Sequence, residues 1–320
     1  MCLYPKLLKN KKYIANKKNG GNVPPVIDNR TLYVTASCGK CIECLRQKGR
    51  EWQVRLYEEI KEHKNGKFVT LSFSEEAIYK LEKKVIKGDM YQTDNNIATL
   101  AVRQFLEKWR WKHKKSVRHW LVTELGQINT ERIHLHGIIF TDNTQDIKNL
   151  WTYGNVWIGE YVNSRTINYI TKYITKTDIL HKDYKPKILT SKGIGRNYIT
   201  NNRNSERNKY NGKATREYYL TETGHKISLP IYYRNHIYNN DEKEQLWINK
   251  IDKGEIYVMG EKININDIEN EKEYHELLEY YRKKNERLGY GTDKKNFDER
   301  MYKLRLSQQR YREKRFKNKE

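Results

Sequence analysis

The sequence predicts an α+β fold with a modest hydrophobic core. Two segments, 118–126 ("RHWLVTELG") and 132–140 ("RIHLHGIIF"), have the β-branched and aromatic content of strands. The polar stretch 127–131 between them predicts a hairpin turn. Apolar residues recur at helical spacing over 44–63 and again over 97–113. A chain of 320 residues with these elements can bury one core, or a core plus an appended module.

The other elements follow from local punctuation. Residues 1–37 are rich in Lys, Asn and Gly and are predicted to be irregular. Asn65-Gly66 ends the first helix, and the β-branched run after it predicts a strand. After about residue 183 the pattern weakens to turns and short strands, and the last segment is a basic, exposed helix. The remaining predictions are strands at 67–74, 154–162 and within 217–233, and helices at 143–151, 166–178 and 296–320.

Charge points to a polyanionic partner. The chain has 63 Lys and Arg against 40 Asp and Glu, a formal net charge of +23, with 25 Tyr and 7 Trp interleaved. A surface that neutralises phosphates and stacks bases has this composition, so nucleic acid is the first expectation and an anionic membrane surface the second. A Lys- and Asn-rich compositional habit explains part of the excess. Mean hydropathy is −1.00. We expect no membrane span and no secretory leader, and therefore a cytosolic protein.

The strand at 132–140 carries a pair of histidines. His134 and His136 are two residues apart, so their side chains point to one face of the strand. If the turn centres near Asn129, antiparallel pairing places Glu124 opposite His134 on that face. Two imidazoles and a carboxylate form a metal site with open positions, which suits Mg²⁺ or Mn²⁺ engaging a phosphate. Zinc also accepts these ligands, and half-exposed surface residues are the structural alternative.

The helix at 166–178 carries a pair of tyrosines. Tyr169 and Tyr173 are one turn apart, as are Lys172 and Lys176, so the phenols share a face with lysines nearby. A phenol that attacks a phosphate keeps the energy of the broken bond in an aryl ester, which a DNA hydroxyl can reverse. With a pKa of about 10, it needs metal polarisation or a lysine. An amphipathic helix that packs two tyrosines is the alternative.

Four cysteines form a second candidate metal site. Cys38, Cys41 and Cys44 have C-x-x-C-x-x-C spacing, which in a reducing compartment indicates a metal site rather than disulfides. Cys2 would complete a closed structural Zn²⁺ site, although His63 could replace it. An iron–sulfur cluster and free buried thiols are the alternatives.

These motifs together resemble the HUH endonucleases, and in particular the replication initiators of gokushovirus-like microviruses, which are small single-stranded DNA bacteriophages. The resemblance covers roughly residues 38–235. It rests on "CGKCIECLRQKGREW", "FVTLSF", "ELG" followed by "RIHLHGIIF", "YITKYITK", "KGIGRNYI" and "LPIYYR". Gly137 departs from the pattern, because it replaces a bulky residue after the second histidine.

The resemblance implies a central antiparallel sheet flanked by helices, with the histidines on a central strand. Glu124, His134 and His136 would hold a divalent metal. Tyr169 or Tyr173 would attack the scissile phosphate, leaving a 5′-phosphotyrosine and a free 3′-OH, and the second tyrosine would serve the later cut before the ends are joined. Lys172 and Lys176 would position phosphate or stabilise the phenolate.

The expected partner is therefore the single-stranded or supercoiled viral DNA origin, in the host bacterial cytoplasm, with a host helicase and polymerase as further partners. The predicted domains are a Cys-rich segment with a basic helix (1–66), the endonuclease core (67–235) and a basic, largely helical region (236–320). An HUH transposase with paired tyrosines and a non-enzymatic zinc-containing nucleic-acid-binding protein are the alternatives. The residues expected to contact DNA are Arg46, Arg50, Arg55, Lys192 and Arg196.

Overall fold

A computed structural model of the chain describes all residues except 87, 89, 127–130, 177–180, 182–183, 202–205, 266–267, 294–298 and 318–320. The predicted hairpin turn and the end of the tyrosine helix therefore lie largely outside the described residues. The chain divides into two compact units, residues 1–54 with 197–295 and residues 55–196 with 296–320. We call them the terminal unit and the sheet unit. The division into 1–66, 67–235 and 236–320 stays a prediction.

The helices are longer at several ends than the sequence predicts. They are α1 (Ile42–Glu62), α2 (Glu75–Glu82), α3 (Met90–His113), α4 (Thr144–Leu150), α5 (Ser164–Thr175), α6 (Asn197–Thr200), α7 (Ile231–Ile237), α8 (Asn240–Lys253), α9 (Ile268–Arg287) and α10 (Glu299–Phe316). The start of α3 differs most, since the predicted start at 97 follows the apolar pattern alone. In the first turns of α3, Asn95 instead accepts a hydrogen bond from Thr123. None of the described helices is long and apolar enough to cross a membrane.

The strands form one five-stranded sheet and three hairpins. They are β1 (Lys6–Lys9), β2 (Tyr33–Ala36), β3 (Gly66–Leu71), β4 (Arg118–Leu125), β5 (Ile133–Phe140), β6 (Val156–Ile158), β7 (Ile188–Thr190), β8 (Tyr218–Leu220), β9 (Lys226–Ser228), β10 (Glu255–Val258) and β11 (Glu261–Asn264). Strand β6 is shorter than the predicted 154–162, because only its three residues pair with β3.

The sheet unit is built on a sheet with the order β6-β3-β5-β4-β7, in which every neighbouring pair is antiparallel. Strand β5 lies at its centre. Ile133, Leu135 and Ile139 point to one face of β5 and join a buried core with α2 and α3. The opposite face of β5 carries His134 and His136, and α5 packs on β4 and β5. The predicted α+β fold with a central antiparallel sheet and flanking helices is confirmed.

The terminal unit contains the three hairpins β1–β2, β8–β9 and β10–β11. One of its cores packs the four cysteines with Leu3, Ile42, Val258 and Leu278. A second core is formed by aromatic and aliphatic residues around Tyr233, which is fully buried. The Cys-rich segment is therefore part of a core, and the basic helix α10 belongs to the sheet unit.

Candidate metal and tyrosine site

The site starts from the register of β4 and β5. Glu124 pairs with His134, as the sequence predicts, so the carboxylate and both imidazoles lie on one face. Gly137 pairs with Leu121 in the same ladder, and a Cβ at Gly137 would lie 2.0 Å from the Trp120 carbonyl oxygen. The departure at Gly137 thus has a steric cause, since the backbone of β4 leaves no room for a side chain.

Glu124 lies between the two imidazoles. Its Oε2 is 2.9 Å from His134 Nε2 and 2.9 Å from His136 Nε2, and all three ligand atoms lie within 4.8 Å of one another. The second nitrogen of His134, Nδ1, is 3.2 Å from the Arg132 carbonyl oxygen. Both partners of His134 are acceptors, and a neutral imidazole donates from only one nitrogen. A neutral His134 therefore presents its Nε2 lone pair toward Glu124, an arrangement that a cation between them stabilises. The donor set fits a divalent metal.

His136 is held by residues that sequence reasoning missed. Its Nδ1 lies 3.1 Å from Thr70 Oγ1 on β3, and its ring stacks on Phe68 with centroids 6.3 Å apart. Such contacts fix the tautomer and orientation of a metal-binding histidine. Burial holds the pKa of His136 below its usual value, although the hydrogen bond with Glu124 opposes this effect. The "FVTLSF" pattern contains the signal, since Thr70 faces the same side of its strand as Phe68.

Helix α5 positions the tyrosines. It begins with a capping box in which Asn163 Oδ1 accepts from Thr166 N–H at 3.0 Å. The buried face of the helix is formed by Ile167, Ile170, Thr171, Tyr173 and Ile174. Tyr57 donates a hydrogen bond to Asn168 and ties α5 to α1. This amphipathic pattern fixes the helix against the sheet face that bears the histidines.

The two phenols meet beside His136. The Tyr173 ring lies parallel to the His136 ring with centroids 4.1 Å apart, and Tyr173 Oη donates to Tyr169 Oη at 2.6 Å. Tyr169 is 51% exposed, whereas Tyr173 is 9% exposed. Burial and the hydrogen bond with Tyr169 hold the pKa of Tyr173 above the ordinary phenol value. The more accessible phenol is thus the one that receives a hydrogen bond.

One of the two predicted lysines joins the site. Lys176 Nζ donates to Glu124 Oε1 at 2.5 Å and lies 5.9 Å from the Tyr173 ring centroid. Burial raises the pKa of Glu124, but hydrogen bonds from His134, His136 and Lys176 outweigh it and hold the pKa well below its usual range. Lys172 is exposed on the same helix and lies outside this group of hydrogen-bonded side chains. Lys176 ends α5 as its C-cap residue, where the chain turns toward the sheet.

The cysteines also converge. Their four sulfurs lie within 4.8 Å of one another, with Cys2–Cys41 at 3.9 Å and Cys38–Cys44 at 3.8 Å. The edge of a tetrahedral site with Zn–S bonds of about 2.3 Å is about 3.8 Å. Cys2 Sγ accepts from the backbone N–H of Tyr4 and of Cys38. The donor set fits a structural zinc ion with Cys2 as the fourth ligand.

His63 is not the fourth ligand among the residues that the structure groups with the cysteines. It belongs to the sheet unit, where its Nε2 lies 3.4 Å from Glu59 Oε1. Its ring also packs edge-on against Phe140.

The predicted DNA-contacting residues differ in their freedom. Arg50 pairs with Glu43 at 3.0 Å, and Arg55 Nε donates to the Ile194 carbonyl oxygen at 3.0 Å. Both guanidinium groups thus have structural partners. The remaining three predicted residues are exposed, namely Arg46, Lys192 and Arg196. Contact of any of these residues with DNA stays a prediction.

Comparison with known proteins agrees with this site. Residues 66–178 match the family model of replication-associated proteins of the ORF2 type. The resemblance to phage replication initiators is confirmed. We call residues 66–178 the replication-protein region; it runs from β3 through α5 and contains every residue of the metal and tyrosine site.

A curated relative extends the similarity. The chain is 26% identical over 225 residues to the replication-associated protein VP4 of Bdellovibrio phage phiMH2K. The match covers 62% of this chain and 66% of that relative, just under two thirds of its length. No solved structure matches the chain.

Proposed function

We propose that the chain is a rolling-circle replication initiator that nicks single-stranded DNA at a specific site and rejoins it through a 5′-phosphotyrosine. One observation carries the proposal. Within the replication-protein region, Glu124 and two imidazoles meet next to a pair of phenols, and the pocket face is open enough that Tyr169 is 51% exposed.

The carboxylate and the imidazoles of Glu124, His134 and His136 would hold Mg²⁺ or Mn²⁺. Three protein ligands leave coordination positions free for phosphate oxygens, and the anionic oxygen ligand suits these hard cations. When bound, the ion would polarise the scissile phosphate and offset its negative charge. Thr70 and the Arg132 carbonyl would keep both imidazoles oriented toward it.

The covalent step uses a phenol. Tyrosine Oη forms a bond to phosphorus while the bond from phosphorus to the 3′ oxygen breaks, and the phenol proton leaves as the 3′ oxygen gains one. The chain keeps the 5′ side of the nick as an aryl ester, and the free 3′-OH can prime a polymerase. Attack by a 3′-OH on the same phosphorus reverses the step and joins two DNA ends.

We propose Tyr169 as the first nucleophile. It is exposed, and its oxygen accepts a hydrogen bond from Tyr173, which stabilises negative charge on Tyr169 during attack. Tyr173 is buried, and its pKa is raised, so its own ionisation is costlier. Tyr173 would act in the second cut.

Lys176 is the positively charged group of the site. Its ammonium lies on Glu124 and near the Tyr173 ring, where it can balance charge on a phosphate or a phenolate. Lys172, exposed on the same helix, would contact the DNA backbone farther from the reacting atoms.

The four cysteines would hold a structural Zn²⁺ ion. This ion would stabilise the N-terminal segment against Val258 and Leu278 in the terminal unit. The exposed residues Arg46, Lys192 and Arg196 would contribute sequence-independent affinity for DNA.

The DNA partner would be a single-stranded or supercoiled viral origin in the host bacterial cytoplasm, with a host helicase and polymerase acting on the nicked product. A covalent assay tests the enzymatic claim. The chain is incubated with single-stranded DNA spanning the origin of the genome that encodes it, with Mn²⁺, and separated in SDS. We expect an SDS-resistant protein–DNA adduct that Tyr169→Phe/Tyr173→Phe abolishes. A non-enzymatic binder forms no adduct, and that result overturns the proposal.

A further inference from the structure

The edge strand β6 extends the site face beyond the metal ligands. Thr70 on β3 pairs with His136 on one side and with Trp157 of β6 on the other. Directly opposed residues of antiparallel strands share a face, so the Trp157 indole is on the face of His136, two strands away. The sheet itself therefore aligns Trp157 with the site.

Trp157 is exposed although it is large and apolar. Its side chain is 57% exposed and contacts Phe68 edge-to-face, with ring centroids 5.4 Å apart. Gly159 follows in the chain, where a Cβ would lie 3.3 Å from Trp157 Cη2. Glycine at this position leaves the flank of the indole uncrowded. A broad aromatic surface thus faces solvent at the edge of the sheet.

Phe68 connects this indole to the reacting groups. The Phe68 ring lies 6.3 Å from the His136 ring and 6.0 Å from the Tyr169 ring, centroid to centroid. Two ring-to-ring steps therefore separate Trp157 from a metal-binding imidazole and from the exposed phenol. A phosphate held by His136 and attacked by Tyr169 has flanking nucleotides within reach of the indole.

We infer that Trp157 is a positioning residue that stacks on a DNA base next to the scissile phosphate. This inference rests on the proposed nicking function. Exposed aromatic rings bind single-stranded nucleic acid because every base offers a π face, and the net charge of +23 attracts the backbone of the same strand. Stacking one flanking base would hold the phosphate in line with Tyr169, which favours the covalent step.

Binding to two probes separates base stacking from backbone contact. The full chain with Tyr169→Phe/Tyr173→Phe, which cannot form the adduct, is titrated into fluorescein-labelled oligo(dT) and into an abasic oligomer of the same length. Anisotropy is read in each case. Trp157→Ala should weaken oligo(dT) binding about tenfold, within the range that loss of one stacked base causes. The same substitution should leave the abasic oligomer unaffected.

Matched variants supply the controls. Trp157→Phe keeps an aromatic face and should recover most of the affinity, whereas Trp157→Leu keeps only apolar bulk and should not. Trp111→Ala removes a tryptophan that is 79% exposed on α3, in the opposite layer, and should leave binding unchanged. If Trp157→Ala does not fold, the comparison of Phe with Leu decides. Equal affinity of the Leu and Phe variants for oligo(dT), or equal losses on both probes, overturns the inference.

Adduct formation separates this inference from the proposed function. In a chain with both tyrosines, Trp157→Ala should slow adduct formation with origin DNA, and Trp157→Phe should restore it. An adduct that forms at the wild-type rate in Trp157→Ala overturns the role of the indole and leaves the nicking function intact. Absence of any adduct in the wild type, with base-dependent binding preserved, overturns the nicking function instead.

Discussion

Glu124→Gln separates the charge of the central carboxylate from its shape. In the metal-free protein the substitution weakens the hydrogen bonds with His134, His136 and Lys176. Lys176 is 43% exposed, so solvent screens its ion pair, and the expected loss in free energy of unfolding is only ~1 kcal/mol.

The expected effect on metal binding is larger. Two unit charges 4 Å apart interact by ~4 kcal/mol at an effective dielectric constant of about 20, and a divalent ion at ligand distance interacts at least as strongly. If desolvation of the carboxylate offsets half of this, ~2 kcal/mol remains, which corresponds to about 30-fold weaker binding. Glu124→Gln should therefore lose Mn²⁺ affinity by about 30-fold or more while its thermal unfolding changes little.

Isothermal titration calorimetry with Mn²⁺ measures this loss. Glu107→Gln is the matched control, because Glu107 is 49% exposed on α3 and pairs with Arg103 away from the histidines. The control should bind Mn²⁺ like the wild type. If Glu124→Gln also binds Mn²⁺ within twofold of the wild type, the carboxylate is not a ligand, and the assignment of the site is wrong.

Three further predictions concern the site, the charge and the cysteines. His134→Ala should abolish adduct formation yet keep oligo(dT) affinity within about twofold, since affinity comes mostly from phosphate contacts; unchanged cleavage would remove the metal assignment. DNA affinity should fall by about 10³-fold between about 50 and 200 mM salt if about six phosphates are neutralised, whereas a flat response would contradict binding led by charge. Cys41→Ser should lose the bound zinc, measured by atomic absorption, and should lower the thermal stability of the terminal unit, because zinc sites contribute ~10–16 kcal/mol to ordering small modules; zinc content equal to the wild type would contradict a four-cysteine site.

The site was largely predictable from the sequence because strands and helices place side chains at fixed periods. Period-two alternation put His134 and His136 on one face, and a short turn fixed Glu124 opposite His134, which the ladder confirms. The four-residue spacing of Tyr169 and Tyr173 likewise predicted that the phenols share a face, and their hydroxyls are hydrogen-bonded.

Contacts between distant segments were not predictable in this way. Thr70 reaches His136 only because β3 pairs with β5, and no local pattern in β3 specifies that neighbour. The early start of α3 has the same origin, since the buried Asp94 pairs with Arg305 of α10 and Asn95 bonds with Thr123. Arg50 showed a basic helix face in the sequence but has a carboxylate partner in the fold. Tertiary partners decide these cases, and a single sequence does not state them.

The most direct test of the central claim is to map the covalent adduct by mass spectrometry. After reaction with origin DNA and nuclease digestion, the peptide that carries α5 should bear a nucleotide linked through its 5′-phosphate to Tyr169, and Tyr169→Phe should move or abolish the modification. A phosphotyrosine outside α5, or a linkage through a 3′-phosphate, would contradict attack by a phenol held over His134 and His136.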